Sequence, residues 1–140
     1  DVQAIRAALS DGTIDAIATD HAPHSDDLKQ VEFNRAPFGI TGLETAVALT
    51  LTHLVHPRKI TLARMVELMS SNPAEIIRQP LGHVRQGGIA DLTIFDPERE
   101  WTYHATTGES KSHNSPFDGW KLRGAVTATL VAGNIVYQRL

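Results

Sequence analysis

The feature that most constrains this 140-residue chain is a short apolar run ending in a cluster of chemistry-bearing side chains. Val2, Ile5 and Leu9 repeat at helical spacing, and Asp11-Gly12 closes that pattern. Ile14-Asp15-Ala16-Ile17-Ala18-Thr19 follows at once and leads into Asp20-His21-Ala22-Pro23-His24. A nearly continuous small-apolar run straight after a helix predicts a buried parallel strand. In α/β sheets and barrels, ligands and catalytic groups gather at the C-terminal ends of such strands. Two readings of the tip are open from spacing alone. In one, Asp20 binds a divalent metal or takes a proton, and His24, beyond a Pro-stiffened turn, faces the same cleft. In the other, Asp20 is a turn residue and both histidines are solvated. One Asp with two His falls short of the four donors that a closed zinc site takes.

The rest of the chain divides by periodicity. Residues 20–41 are polar, with Pro23, Pro37 and Gly39, and form a loop long enough to suggest a functional one. Leu43 to Val55 predicts a helix with Leu43, Ala46, Val47, Leu51 and Leu54 on one face, stopped by Pro57. Thr61 caps a third, with Leu62, Met65, Val66 and Met69 facing inward, so both methionines read as core. Asn72-Pro73-Ala74-Glu75 predicts a restart, with Asn as cap and Pro at the first helical position. After Pro80 the pattern turns to strands: Ala90–Phe95, ended by Asp96-Pro97, and a brief segment at Trp101-Thr102-Tyr103. Ala125–Val131 and Ile135–Tyr137 flank Ala132-Gly133-Asn134, a hairpin signal. The expected units are therefore 1–79, helix–strand–helix, and 80–140, short strands.

Composition removes several function classes. Thirteen basic against 16 acidic residues leave a formal charge of −3, which argues against a nucleic-acid face. With no cysteine there is neither a disulfide framework nor a thiolate metal site, which fits a cytoplasmic protein. Apolar runs fall far short of the roughly 18 residues of a membrane span. The chain starts at Asp1 and its only methionines are Met65 and Met69, so a cut or processed start is expected. His53 and His56 near a helix end, and His83 and His104 in turn-rich stretches, read as surface or packing residues. Asp91 reads as structural, and His113 as a loop residue without chemistry.

Several separated motifs together resemble the type I dihydroorotases of the metal-dependent amidohydrolase superfamily. They are Ala18-Thr19-Asp20-His21-Ala22-Pro23-His24, Arg35 through Thr45, Asn72-Pro73-Ala74, Ala90 through Asp96, Lys111 through Phe117, and Asn134-Ile135-Val136-Tyr137. The likeness runs over essentially the whole chain and implies an α/β architecture. Residues 1–79 would be the C-terminal segment of a (β/α)8 barrel, with its last strand, active-site loop and helices. Residues 80–140 would be strands of a small β-sandwich. The implied reaction is reversible hydrolysis of the cyclic amide of dihydroorotate to N-carbamoyl-aspartate, in pyrimidine synthesis. Asp20 matches the barrel-end aspartate, a metal ligand and general acid/base that moves a proton from the attacking water to the leaving nitrogen. His24 matches a histidine that helps hold the substrate carboxylate, and Phe38 and Gly39 match a loop whose backbone lines the substrate. His21 takes a structural role. The implied cofactor is Zn2+, binuclear in the intact enzyme, with most ligands outside this chain.

The same resemblance implies what this chain lacks. The family's His-x-His pair, its bridging metal ligand and its substrate-binding arginine and asparagine are absent from these residues. The segment is therefore expected to be inert alone and, with the sides of strand 14–19 unpaired, poorly folded or prone to aggregate. A homo-oligomer or association with aspartate carbamoyltransferase is an expected partnership; nucleic acid and membrane are not. Two other readings compete: another cyclic amidohydrolase, such as an allantoinase, hydantoinase or dihydropyrimidinase, and a non-catalytic dihydroorotase-like partner of aspartate carbamoyltransferase. His24 favours the carboxylate-bearing substrate among the cyclic amides.

Overall fold

A computed structural model describes residues 1–139. Helix α1 (Val2–Asp11) ends at Gly12 in a left-handed conformation, as the sequence predicts. Of its apolar stripe only Leu9 is buried; Val2 and Ile5 remain exposed.

The strand expected at Ile14–Thr19 does not form. The run has no ladder; its backbone bonds to other elements are Ile14 N–H to the Ala8 carbonyl of α1 at 3.0 Å and Ile17 N–H to the Leu68 carbonyl at 2.8 Å. Side chains complete its anchorage: Arg64 donates to the Ile14 carbonyl at 3.1 Å and Asn72 to that of Asp15 at 2.8 Å. The physical reason is that a strand exists by pairing. Apolar composition calls for burial but cannot supply a neighbour, and no other strand among the described residues runs beside this one.

A brief helical turn, α2 (Asp26–Lys29), interrupts the loop. Helix α3 (Ala46–Thr50) continues through a π-helical turn at Leu51–Val55, starting three residues later than the periodicity predicts. Thr61 caps α4 (Leu62–Val66), its hydroxyl accepting the Arg64 N–H at 3.0 Å. The predicted restart at Asn72 is instead a continuation: α4 runs through a π-helical turn, Glu67–Ser71, into α5 (Asn72–Ile76). Asn72 is helical rather than a cap, which frees its side chain to reach Asp15. The widened turn lies just before Pro73, whose ring lacks the donor that a regular α-helix would use.

The C-terminal part forms one antiparallel sheet in the order β1 (Leu92–Thr102), β2 (Lys121–Val131), β3 (Asn134–Gln138). Asp96-Pro97 was expected to end the first strand, yet β1 passes through it. The register shifts between Asp96, opposite Ala125, and Glu100, opposite Arg123, so the irregularity absorbs the residue that cannot donate to a ladder. The hairpin appears where expected: Ala132 and Gly133 both have positive φ, as a two-residue turn joining twisted strands requires. Asp91 has the structural role assigned to it, accepting the Ala132 N–H at 2.7 Å.

The core has two clusters that meet at α3. Leu51 packs with Leu9, Ile60, Met65 and Leu68, whereas Ala48 packs with Tyr103, Ala105 and Leu122 beneath the sheet. Met65 is buried, as predicted. Among the described residues no helix is long and apolar enough to cross a membrane.

Candidate functional site

The loop between the Ile14–Thr19 run and α3 is held by polar bonds rather than by apolar packing. Ala22 N–H reaches the Ile40 carbonyl at 2.9 Å, closing the loop on itself. Across that closure, Nε2 of His24 lies 2.9 Å from the Phe38 carbonyl. A carbonyl only accepts, so Nε2 carries the proton and Nδ1 is the nitrogen left for other partners. The ammonium of Lys29, on α2, donates to the carbonyls of Pro37 and Gly39, each at 2.9 Å.

Gly39 is where this geometry demands glycine. Its φ is +115°, and a Cβ there would collide with the Ala22 methyl and lie 3.4 Å from Nε2 of His24. Any side chain would thus push the loop off His24. Three of the four sequence-nominated residues, His24, Phe38 and Gly39, are in this way brought into one bonded unit. The Phe38 ring plays no part in that unit and is 96% exposed. His21 has the structural role expected of it: its Nδ1 accepts the Gly42 N–H at 3.2 Å.

Asp20 stands apart from the unit. It is exposed, and among the described residues its carboxylate has no hydrogen-bond partner. No three His, Cys, Asp or Glu side chains among the described residues come together as a metal site would require. The donor set here therefore does not hold a metal by itself; Asp20 offers one oxygen where at least three protein ligands are normal.

Two residues of the unit went unnoticed in the sequence. Asn114 bonds the His24 turn and the Gly39 loop together, although the Lys111–Phe117 stretch stands in the sequence only as one motif of the resemblance. Lys29 belongs to no motif singled out in the sequence. For Asn114 a signal existed, since an amide flanked by Ser112, Ser115 and Pro116 marks an ordered turn. For Lys29 there was none. His113, read as lacking chemistry, bonds the Ala105 carbonyl through Nδ1 at 2.9 Å.

Comparison with known proteins decides the family: a profile of the amidohydrolase family matches residues 1–136. The chain belongs to the amidohydrolase family. Among curated amidohydrolase relatives, the dihydroorotase of Desulfotalea psychrophila is 55% identical over 137 residues, covering 98% of this chain and 32% of that protein. The dihydroorotase of Geobacter sp. strain M21 is 51% identical over 138 residues, covering 99% of this chain and 32% of its own length. This amidohydrolase chain thus spans about a third of the length of the relatives that it matches. Among solved structures, the L-hydantoinase (dihydropyrimidinase) of Arthrobacter aurescens superposes with a TM-score of 0.88 at 32% identity, over 96% of this chain and 31% of that one. The dihydropyrimidinase of Brevibacillus agri NCHU1002 reaches 0.90 at 25% identity, over 96% and 31%. The α/β arrangement described above is therefore that of amidohydrolases.

Proposed function

We propose that this chain is the C-terminal part of a dihydroorotase, which adds water across the cyclic amide of dihydroorotate to give N-carbamoyl-aspartate, and reverses that step. The observation that carries the reading is identity of 51–55% to dihydroorotases along nearly the whole chain. The site chemistry agrees with it. Dihydroorotate is a flat polar ring bearing a carboxylate. With its Nε2–H turned to the Phe38 carbonyl, His24 would donate to such a carboxylate from Nδ1 when that nitrogen also carries a proton, and the Phe38–Gly39 backbone offers a flat polar edge for the ring.

In this reading Ile14–Thr19 is the last strand of a (β/α)8 barrel, and β1–β3 belong to a small β-sandwich. Asp20 then stands at the mouth of the barrel. Its carboxylate takes a proton from the attacking water as oxygen bonds to the ring carbonyl carbon. It returns that proton to the ring nitrogen as the carbon–nitrogen bond breaks. Asp20 would also give one oxygen to a divalent centre, zinc here, whose other donors lie outside these residues; that ion, when bound, supplies the Lewis acidity that makes water reactive at neutral pH. Retention of Asp20 and His24 favours a working enzyme over a non-catalytic partner of aspartate carbamoyltransferase.

The hydantoinase neighbours favour one alternative, hydrolysis of uncharged cyclic amides. Assaying the intact protein on dihydroorotate, dihydrouracil and hydantoin separates the two; turnover of the uncharged rings alone would reject the dihydroorotase reading. Asp20→Ala should lower kcat at least about 10³-fold, the upper range for a general acid/base. His24→Ala should chiefly raise KM. Near-normal turnover by Asp20→Ala would reject the proton-transfer role.

A further inference from the structure

Asn114 joins segments far apart in sequence using every polar atom of its amide. Its Oδ1 accepts the backbone N–H of His24 at 3.1 Å. Its Nδ2 donates to the carbonyls of Ala22 at 2.9 Å and Gly39 at 3.3 Å. Its own backbone carbonyl accepts the Thr41 N–H at 3.1 Å. The amide can point only one way, because an N–H must face its oxygen and two carbonyls must face its nitrogen.

The consequence appears in the loop. The carbonyls of Pro37, Phe38 and Gly39 are all engaged, by Lys29, by His24, and by Lys29 with Asn114. The N–H groups of Phe38 and Gly39 have no protein acceptor among the described residues. Those donors, together with Nδ1 of His24, are what the loop can present to a polar ligand.

We infer that Asn114 is a positioning residue, which sets the register between His24 and the Phe38–Gly39 backbone at which both meet substrate. This role rests on the dihydroorotase reading above. Asn114 itself touches no reacting atom. Its removal would leave the imidazole and the loop present but out of register, which weakens substrate binding more than the chemical step. Asn114→Asp is the sharpest probe. It keeps the shape but turns carboxylate oxygen toward the Ala22 and Gly39 carbonyls, converting two bonds into repulsions.

The experiment is steady-state kinetics of the intact protein with dihydroorotate, comparing the parent with Asn114→Asp and Asn114→Ala. A misplaced binding group should raise KM by about tenfold or more. We expect kcat within about threefold of the parent, with bound-metal content unchanged and a thermal midpoint that is lowered but stays above the assay temperature. KM within about twofold of the parent in a folded variant would overturn the role, as would a loss borne by kcat alone. If neither variant yields folded protein, Asn114 is structural and the role is likewise overturned. A parent that does not turn over dihydroorotate fails at an earlier point: the dihydroorotase reading falls, and this role with it.

Discussion

Two apolar stretches of this chain meet opposite fates. Lys121–Val131 becomes β2, flanked by β1 from Leu92 opposite Leu130 to Thr102 opposite Lys121, and by β3 through Val131 opposite Asn134. Leu122, Gly124 and Ala125 along it are buried, and α3 packs across them. Ile14–Thr19, with comparable local character, has a backbone bond to Leu68 and side-chain bonds from Arg64 and Asn72 in place of a ladder. The difference lies in the neighbours. One partner of β2 is two turn residues away, and such a pairing costs little chain entropy to close. A parallel strand needs partners from across a crossover, and these residues do not contain them.

The comparison breaks most easily at Gly124. Its φ is +104°, and a Cβ there would run into the side chain of Leu51, which has no exposed surface. Gly124→Ala combines backbone strain with overpacking, so a loss of about 3 kcal/mol is expected. A lowered unfolding midpoint in the intact protein, with faster amide exchange across β2, would show it. An unchanged midpoint would mean that the sheet and α3 can separate without cost, and that β2 owes its order to its ladder alone.

How much of this was legible beforehand follows the same line. The end of α1 at Gly12, the Thr61 cap and the hairpin at Ala132-Gly133 were readable because their causes lie within a few residues of each other. The helix faces were readable only in part: Leu9, Leu51 and Met65 are buried, but Val2, Ile5, Leu43, Leu62 and Val66 are exposed. The passage of β1 through Pro97 was not, since the irregularity that admits it depends on a partner strand more than 20 residues away. The merging of α4 and α5 escaped for a related reason: Asn72 reads as a cap until its side chain is seen to be engaged with Asp15. At the site, Asp20, His24, Phe38 and Gly39 stood out through motif resemblance. Lys29 acts on carbonyls, which carry no signature in a side-chain alphabet, and around Asn114 only the turn was readable, not its bonds to His24, Ala22 and Gly39.

A gentler test addresses the tether of the Ile14–Thr19 run. Asn72→Ala removes the bond to the Asp15 carbonyl, a net loss of about 1 kcal/mol. Alanine's better helix propensity returns part of it, about half a kcal/mol. The effect should be local. Exchange at Ile17 N–H, bonded to Leu68, should quicken by about twofold to fivefold. Exchange along β2 should stay as in the parent. Equal acceleration in both places would show that the two stretches share one cooperative unit, and the contrast between them would then be one of geometry and not of stability.

The smallest effect lies at the turn that leads into the run. The Asp11 carboxylate accepts the Thr13 hydroxyl at 2.6 Å and the Thr13 N–H at 2.9 Å, and these bonds hold its carboxyl below the usual 3.8. A depressed carboxyl contributes its stabilisation above the unfolded value and loses it as pH falls through the folded one. The relevant window therefore lies below 3.8, and the turn is at full strength at neutral pH. Thr13→Ala removes the hydroxyl, the larger cause, and leaves the N–H. By NMR titration, Asp11 should move toward 3.8 without reaching it. Any difference in thermal midpoint between Thr13→Ala and the parent should be greatest above that pH and fade below it. If Asp11 did not move, the bond pair would be a feature of geometry without energetic weight, and the entry into the run would be set by Gly12 and by the bonds of Ile14 to Ala8 and Arg64.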